Sequence, residues 1–286
     1  MASTVNAIDV SGSNVYIGGA FVDAGGDANA DRIARWDGST WHALGAGLNG
    51  TVNAIAVAGA DVYVGGTFTG DVANGFADRI ARWDGSTWHA LGAGLNGPVE
   101  AIAVVGSNVY AGGGFTNAGG DLEADYIARW DGSAWHALSP GLTNWVYSIA
   151  DAGQFLYIGG AFGNVGGDTN ARRIARWNGA IWQALDTGLG GTPEFIAVAG
   201  ANVYVGGGFS NAGGDANADY VARWDGSAWH SLGSGLNNVT YSLAVSGANV
   251  YIGGNFSDAG GDSSADRIVR WGPISKSIYL PLVMKN

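Results

Sequence analysis

Residues 32–50 read RIARWDGSTWHALGAGLNG, and residues 79–97 repeat them letter for letter. Degraded copies begin at Tyr126, Arg173, Tyr220 and Arg267. The first tryptophan of each copy falls at Trp36, Trp83, Trp130, Trp177, Trp224 and Trp271, always 47 residues on. A second column, the Tyr of Tyr-x-Gly-Gly, keeps the same step at Tyr16, Tyr63, Tyr110, Tyr157, Tyr204 and Tyr251. Six such copies span nearly all 286 residues and leave no room for a linker. Self-similarity at this period is the signature of a repeat architecture.

Within one copy the pattern is that of short strands. In the second copy, strand a is TVNAIAVAG, strand b DVYVGGTF, strand c DRIARWDG and strand d STWHALG. Asp-Gly between c and d is a strong hairpin signal. No stretch carries a long helical period. Four antiparallel strands per copy predict an all-β fold, a six-bladed β-propeller with four antiparallel strands per 47-residue blade. One domain over 1–286 is expected, with blades at 4–50, 51–97, 98–144, 145–191, 192–238 and 239–286. An open solenoid would need polar capping repeats, and the first copy is as regular as the second. Six blades closing into a ring avoid that need. Alternation of strand direction places the a–b and c–d turns on one face and the b–c and d–a loops on the other. Strand a, the smallest, suits the axis.

Composition narrows the partners. The chain has 51 Gly, no Cys and a formal charge of −11. An acidic chain is a poor binder of nucleic acid or an anionic membrane, which require a basic face. Lack of cysteine excludes disulfides, thiolate metal sites and thiol nucleophiles. No apolar run reaches membrane-spanning length, so no membrane insertion is expected. The start, MASTVNAIDV, is not a signal peptide. An extracellular or cell-surface location is expected, with a leader removed or replaced at Met1–Ala2.

A strand ending in Gly18-Gly19, an aromatic-Asp pair at Trp36-Asp37 and a following Trp41 resemble the kelch repeat. The resemblance extends over all six copies. It departs from the kelch pattern in having Trp where Tyr usually precedes Asp, and a shorter gap to the second Trp. It implies a propeller used for binding or scaffolding. Copper-radical oxidases of this shape use a Cys cross-linked to Tyr, and a chain without Cys does not inherit that activity. The DGSTW segment is similar to the Asp-box turn of sialidase propellers, one residue short.

Rotation between blades decides which repeated residues are able to meet. His42, His89, His136 and His230, with Gln183 in the fourth copy, form one column on the outer strand and do not converge on a metal. Trp36 and Trp41 and their equivalents read as wedges between blades, with sugar stacking as the alternative. Arg35, Arg82, Arg129, Arg176, Arg223 and Arg270 read as ties from strand c to the b–c loops, which hold 13 of the 21 Asp. In those loops Asp23, Asp27, Asn29 and Asp31 offer oxygens for Ca²⁺. Asn74 replaces one of these Asp in the second copy and only Asp168 remains in the fourth, so Asx turns account for the same residues without metal. No metal site and no cofactor are expected.

One column changes between amide, carboxyl and phenol from copy to copy: Asn6, Asn53, Glu100, Tyr147, Glu194 and Tyr241, at the start of strand a on the loop-rich face. Tyr126 and Tyr220 replace the Arg of the first copy nearby, and Trp145 lies in a d–a loop. The column is the candidate ligand-binding mouth. Glu100 and Glu194 on either side of Tyr147 also have the composition of a glycosidase pair. No other constellation supports an enzyme. The end, SKSIYLPLVMKN, replaces the last outer strand and reads either as a substitute strand containing Pro281 or as a sorting tail. Such tails resemble those ending secreted proteins of some filamentous bacteria. The expectation is a monomeric, non-enzymatic structural or binding module of an extracellular bacterial protein, with a carbohydrate-binding lectin as the alternative. Its partner would be a protein or a glycan.

Overall fold

The computed structural model describes residues 3–70, 78–262 and 264–272. The fold is all-β, a six-bladed propeller of antiparallel sheets. Blade 1 comprises β1 (Val5–Ser11), β2 (Asn14–Gly19), β3 (Ile33–Trp36) and β4 (Trp41–Ala43). Blade 2 holds β5 (Val52–Ala58), β6 (Asp61–Gly66), β7 (Ile80–Trp83) and β8 (Trp88–Ala90). Blade 3 holds β9 (Val99–Val105), β10 (Asn108–Gly113), β11 (Ile127–Trp130) and β12 (Trp135–Ala137). Blade 4 follows with β13 (Val146–Asp151), β14 (Leu156–Gly160), β15 (Ile174–Trp177) and β16 (Trp182–Ala184). Blade 5 has β17 (Thr192–Ala199), β18 (Asn202–Gly208), β19 (Val221–Trp224) and β20 (Trp229–Ser231). Blade 6 has three strands among the described residues: β21 (Thr240–Ser246), β22 (Asn249–Gly254) and β23 (Ile268–Trp271). The expected substitute strand with Pro281, and Asn74 in the second b–c loop, lie outside the described residues. The chain forms two compact units, Met1–Val146 with blades 1–3 and Tyr147–Asn286 with blades 4–6.

The Gly-Gly ending of each second strand has a steric cause. Inside the first unit, a methyl group on Gly18 would overlap Val52 and crowd Ile55 of the next blade. One on Gly65 would overlap Val99 and crowd Ile102. In the second unit Gly159 faces Pro193 and Ile196 in the same way. The first glycine is thus the seat for the next blade's inner strand, and Val52 and Val99 are fully buried on it. Each such valine contributes about 1.5–3 kcal/mol by leaving water. The second glycine serves its own blade. A Cβ on Gly19, Gly66 or Gly113 would run into the carbonyl of Thr4, Thr51 or Pro98, where the first strand closes on the second.

That close approach coincides with a register break. Val5 faces Gly19 and Ala7 faces Gly18, so Asn6 is the extra residue of a β-bulge. Asn53, Glu100, Glu194 and Tyr241 occupy the same bulge in blades 2, 3, 5 and 6. A bulge leaves one residue out of the ladder and re-aims its side chain.

Phe21, Phe68, Phe115, Phe162, Phe209 and Phe256, one per blade, are fully buried at the head of the b–c loop. Their carbonyls accept the N–H of the residue eleven positions on, as Arg32 N to Phe21 O at 3.0 Å. Adjacent blades are also tied by polar bonds. The Trp88 indole N–H donates to Leu44 O at 3.0 Å, and that of Trp135 to Leu91 O at 3.0 Å. In the second unit Trp229 donates to Leu185 O at 3.3 Å. Asn49 holds both the N–H and the C=O of Thr69 in the next blade, at 3.0 and 2.6 Å. The second-column tryptophans therefore link blades. Trp135 and Trp229 are 6% and 7% exposed with their indole N–H engaged, which leaves little ring face for a sugar.

Gly65→Ala is expected to lower the unfolding free energy by about 1–3 kcal/mol, the usual cost of overpacking. Denaturant titration at constant m-value checks this. Gly59→Ala, in an open turn at φ +64, has no such neighbour and tests backbone strain alone.

Candidate binding site at the inner-strand bulges

The bulges put the varied column on one side of the inner strands. In the first unit it forms a hydrogen-bonded run. The Asn6 amide Nδ2 donates to Asn53 Oδ1 at 3.2 Å and reaches Val52 O at 3.4 Å. The Asn53 side chain in turn hydrogen-bonds the Glu100 carboxylate. Burial pushes the Glu100 carboxyl above the usual Glu range, and the bond from Asn53 opposes that shift only in part. The gradient runs from exposed Asn6 through half-buried Asn53 to half-buried Glu100. In the second unit Tyr147 and Glu194 are half-buried and Tyr241 is 56% exposed. Burial also raises the Glu194 carboxyl. Glu100 thus belongs to one unit, and Tyr147 and Glu194 to the other.

Beside the bulge stands a second column that sequence reading saw only as an Arg-to-Tyr exchange. Arg32, Arg79, Tyr126, Arg173, Tyr220 and Arg267 all adopt left-handed backbone, with φ between 62 and 67°. This is uncommon for residues with a Cβ and tends to mark loops held for function. Two backbone bonds enforce it, as where Arg79 N donates to Phe68 O and Gly66 N to Arg79 O, at 3.0 and 2.9 Å. No spacing rule in the sequence signals that conformation. Trp145 lies on Gly114, where a side chain would collide with its indole. In the first unit the polar run thus has Arg79, Tyr126 and Trp145 on loops of the same face.

The other repeated polar residues have local work. Each His holds the Asp five positions earlier in its own turn: His42–Asp37, His89–Asp84 and His230–Asp225 at 2.6 Å, and His136–Asp131 at 2.7 Å. Asp37 also accepts the N–H groups of Ser39 and Thr40 at 2.8 Å. The Thr40 N–H and then His42 hold its carboxyl far below the usual Asp range. The fourth blade loses both partners together. Asn178 replaces the Asp, Gln183 replaces the His, and Gln183 instead accepts Arg176 Nε at 2.9 Å.

The expected Arg–Asp tie to the b–c loops is corrected by the structure. Arg82 pairs with Asp61 at 3.2 Å, and Arg129 and Arg223 donate to Asn108 and Asn202 at 2.8 and 2.6 Å. All three partners open the second strand, on the face opposite the b–c loops. Arg82 is paired with Tyr63 near the far end of strand c, so its side chain reaches Asp61, two residues nearer the a–b turn on the same sheet face. The b–c acids instead cap their own backbone. Asp31 accepts Asp23 N and Asp27 accepts Asn29 N, both at 2.9 Å. Each of these bonds engages one carboxylate oxygen, Oδ1 of Asp31 and of Asp27.

A separate groove of about 520 Å³ lies between blades 2 and 3, walled by Leu95, Asn96, Thr116, Asn117, Trp130 and Ser133 among others. The varied column does not line it. Its signal in the sequence was only the repeated Trp.

No family model matches the chain, and no curated protein does. Solved structures match over most of its length. A structure of the mitotic checkpoint complex contains a chain 15% identical, with TM-score 0.62, covering 96% of this chain and 76% of that one. The computationally designed Ika8 protein is 16% identical with TM-score 0.54, covering 95% and 94%. A chain in a nidogen/laminin complex is 16% identical with TM-score 0.50, covering 78% and 76%. At such identity the likeness is one of propeller fold. Among the described residues no helix is long and apolar enough to cross a membrane.

Two pH effects of opposite sign follow. The Asp37, Asp84, Asp131 and Asp225 carboxyls are depressed in the folded state. Their stabilisation is complete above the unfolded Asp range, near pH 4, and is lost as pH falls below it. Melting temperature should drop on acidification, and changing all four to Asn, as at Asn178, should flatten that drop. The Glu100 carboxyl is raised, so its contribution is full below the unfolded Glu pKa and lost as pH rises through the folded one. Glu100→Gln should melt no lower than the parent at pH 7. Thermal melts across pH check both.

Proposed function

We propose that the chain is a non-enzymatic, kelch-like binding module of an extracellular bacterial protein, acting as a monomer without resident metal or cofactor. It engages its ligand through the varied column at the start of the inner strands: Asn6, Asn53 and Glu100 in one unit, and Tyr147, Glu194 and Tyr241 in the other. The observation that carries this reading is the coincidence of the varied column with the bulge. The flanking positions are small or apolar in most copies, with Val5, Val52, Val99 and Val146 on one side and Ala7, Ala54 and Ala101 on the other, whereas the column carries amide, carboxyl or phenol groups throughout. In blades 1, 2, 3, 5 and 6 the residue that the ladder releases is the one bearing the polar or aromatic group. Its polar run in the first unit offers amide donors and acceptors and a carboxyl poised by burial, suited to hydrogen-bonding a polar partner. Propeller chains of the mitotic checkpoint and nidogen/laminin complexes lie in multiprotein assemblies, which supports a protein partner. The acidic balance argues against nucleic acid.

The groove between blades 2 and 3 favours a second reading, a lectin, since half-buried Trp130 and the polar Asn96, Thr116 and Ser133 line it. A glycan array at millimolar Ca²⁺ separates the two. The protein-binding reading expects no glycan retained. Binding abolished by Trp130→Ala but not by Glu100→Ala would establish the lectin and place it in the groove. Melting temperature is expected to stay the same on chelation and on Ca²⁺ addition, measured by calorimetry.

A further inference from the structure

Six copies of one arginine invite comparison, and the first copy differs. In blade 2 the Arg82 guanidinium is satisfied by the Asp61 carboxylate at 3.2 Å, and it also hydrogen-bonds the Tyr63 hydroxyl. In blades 3 and 5 the equivalents of Asp61 are Asn108 and Asn202, and each accepts the arginine directly. In blade 1 the position is Asn14, yet among the described residues neither the Asn14 amide nor the Arg35 guanidinium nor the Tyr16 hydroxyl has a hydrogen-bond or ion-pair partner beyond the backbone ladder. Arg35 and Tyr16 are both half-buried. They line a cleft of about 130 Å³ whose other walls are Ala43, Leu44, Ala60, Trp83 and Gly85. Trp83, Ala60 and Gly85 come from blade 2, so the cleft is an interblade notch on the turn face, opposite the bulges.

We propose that this notch is a carboxylate-binding site. The blade 2 copy defines the missing group: a carboxylate facing the arginine, within reach of a tyrosine hydroxyl. A half-buried guanidinium without a partner bears the cost of lost hydration without a compensating bond. An incoming carboxylate restores it through charge-assisted, bidentate geometry that the planar fork favours. The Trp83 ring supplies an apolar wall that lowers the local dielectric and strengthens the pair. The volume admits one carboxyl group and a short stem. Either a small organic acid or an Asp or Glu side chain of a partner protein carries that group.

The test follows the Trp83 indole N–H by NMR while sodium acetate is added at constant ionic strength with chloride. A parallel titration uses acetyl-Gly-Asp-Gly-amide, with the Asn peptide as its control. A saturable shift with a dissociation constant in the millimolar range is expected for acetate, the Asp peptide or both, and none for the Asn peptide. Shift by the Asp peptide alone assigns the site to an acidic protein side chain, and shift by acetate alone to a small acid. Asn14→Asp should weaken binding by at least about tenfold, because it rebuilds inside the blade the pair that Asp61 makes with Arg82. Arg35→Gln should abolish it, whereas Arg129→Gln should leave it intact. The proposal is overturned if neither probe shifts Trp83, if the Asn peptide shifts it equally, or if Asn14→Asp binds as the parent does. Asn14→Asp also removes ambiguity over folding, since it copies a residue already present in blade 2.

Discussion

The seat formed by the first glycine of each Gly-Gly pair is the constraint on which the other features depend. A bare backbone at Gly18 or Gly65 lets the following blade's inner strand lie directly against the sheet. Blades that approach this closely bury Val52 and Val99 completely and bring the indoles of Trp88 and Trp135 within reach of the preceding blade's carbonyls. Any side chain there would lift the next blade away and break those bonds. Close packing of this kind tolerates little change, which accounts for a motif repeated with so little drift.

The second glycine has a different consequence. It allows the first strand to cross near the second, and the chain accommodates the crossing with a bulge. In blades 1, 2, 3, 5 and 6 structural necessity thereby produces one residue that the ladder does not hold. The same sheet that cannot vary at its glycines is free to vary at Asn6, Asn53 or Glu100. Tight packing and side-chain variety thus fall on adjacent parts of the sheet, separated by a single step of register.

Repetition also explains which polar residues do not gather. A histidine on an outer strand meets the aspartate of its own hairpin, because the c–d turn brings residues five apart together. The pair behaves as a unit, and blade 4 replaces both members at once. Arginines of strand c likewise meet partners across the sheet rather than in the acid-rich loops. Where a copy lacks its partner, as Arg35 does, the repeat itself shows what is missing.

Sequence alone determined the repeat length, the strand count per blade, the turns at Asp-Gly and the separation of the histidines, since these depend on local period and on rotation between copies. It also located the varied column by comparison of copies. Tertiary structure decided the rest. The bulge that frees the column arises only when two strands pair, and the left-handed backbone at Arg79 or Tyr126 is imposed by bonds to residues eleven or more positions away. The direction of the arginines was misread for the same reason. Composition places acids near them in the chain, but the register of strand c on strand b sets each arginine beside the residues that open strand b, and only the paired sheet fixes that register.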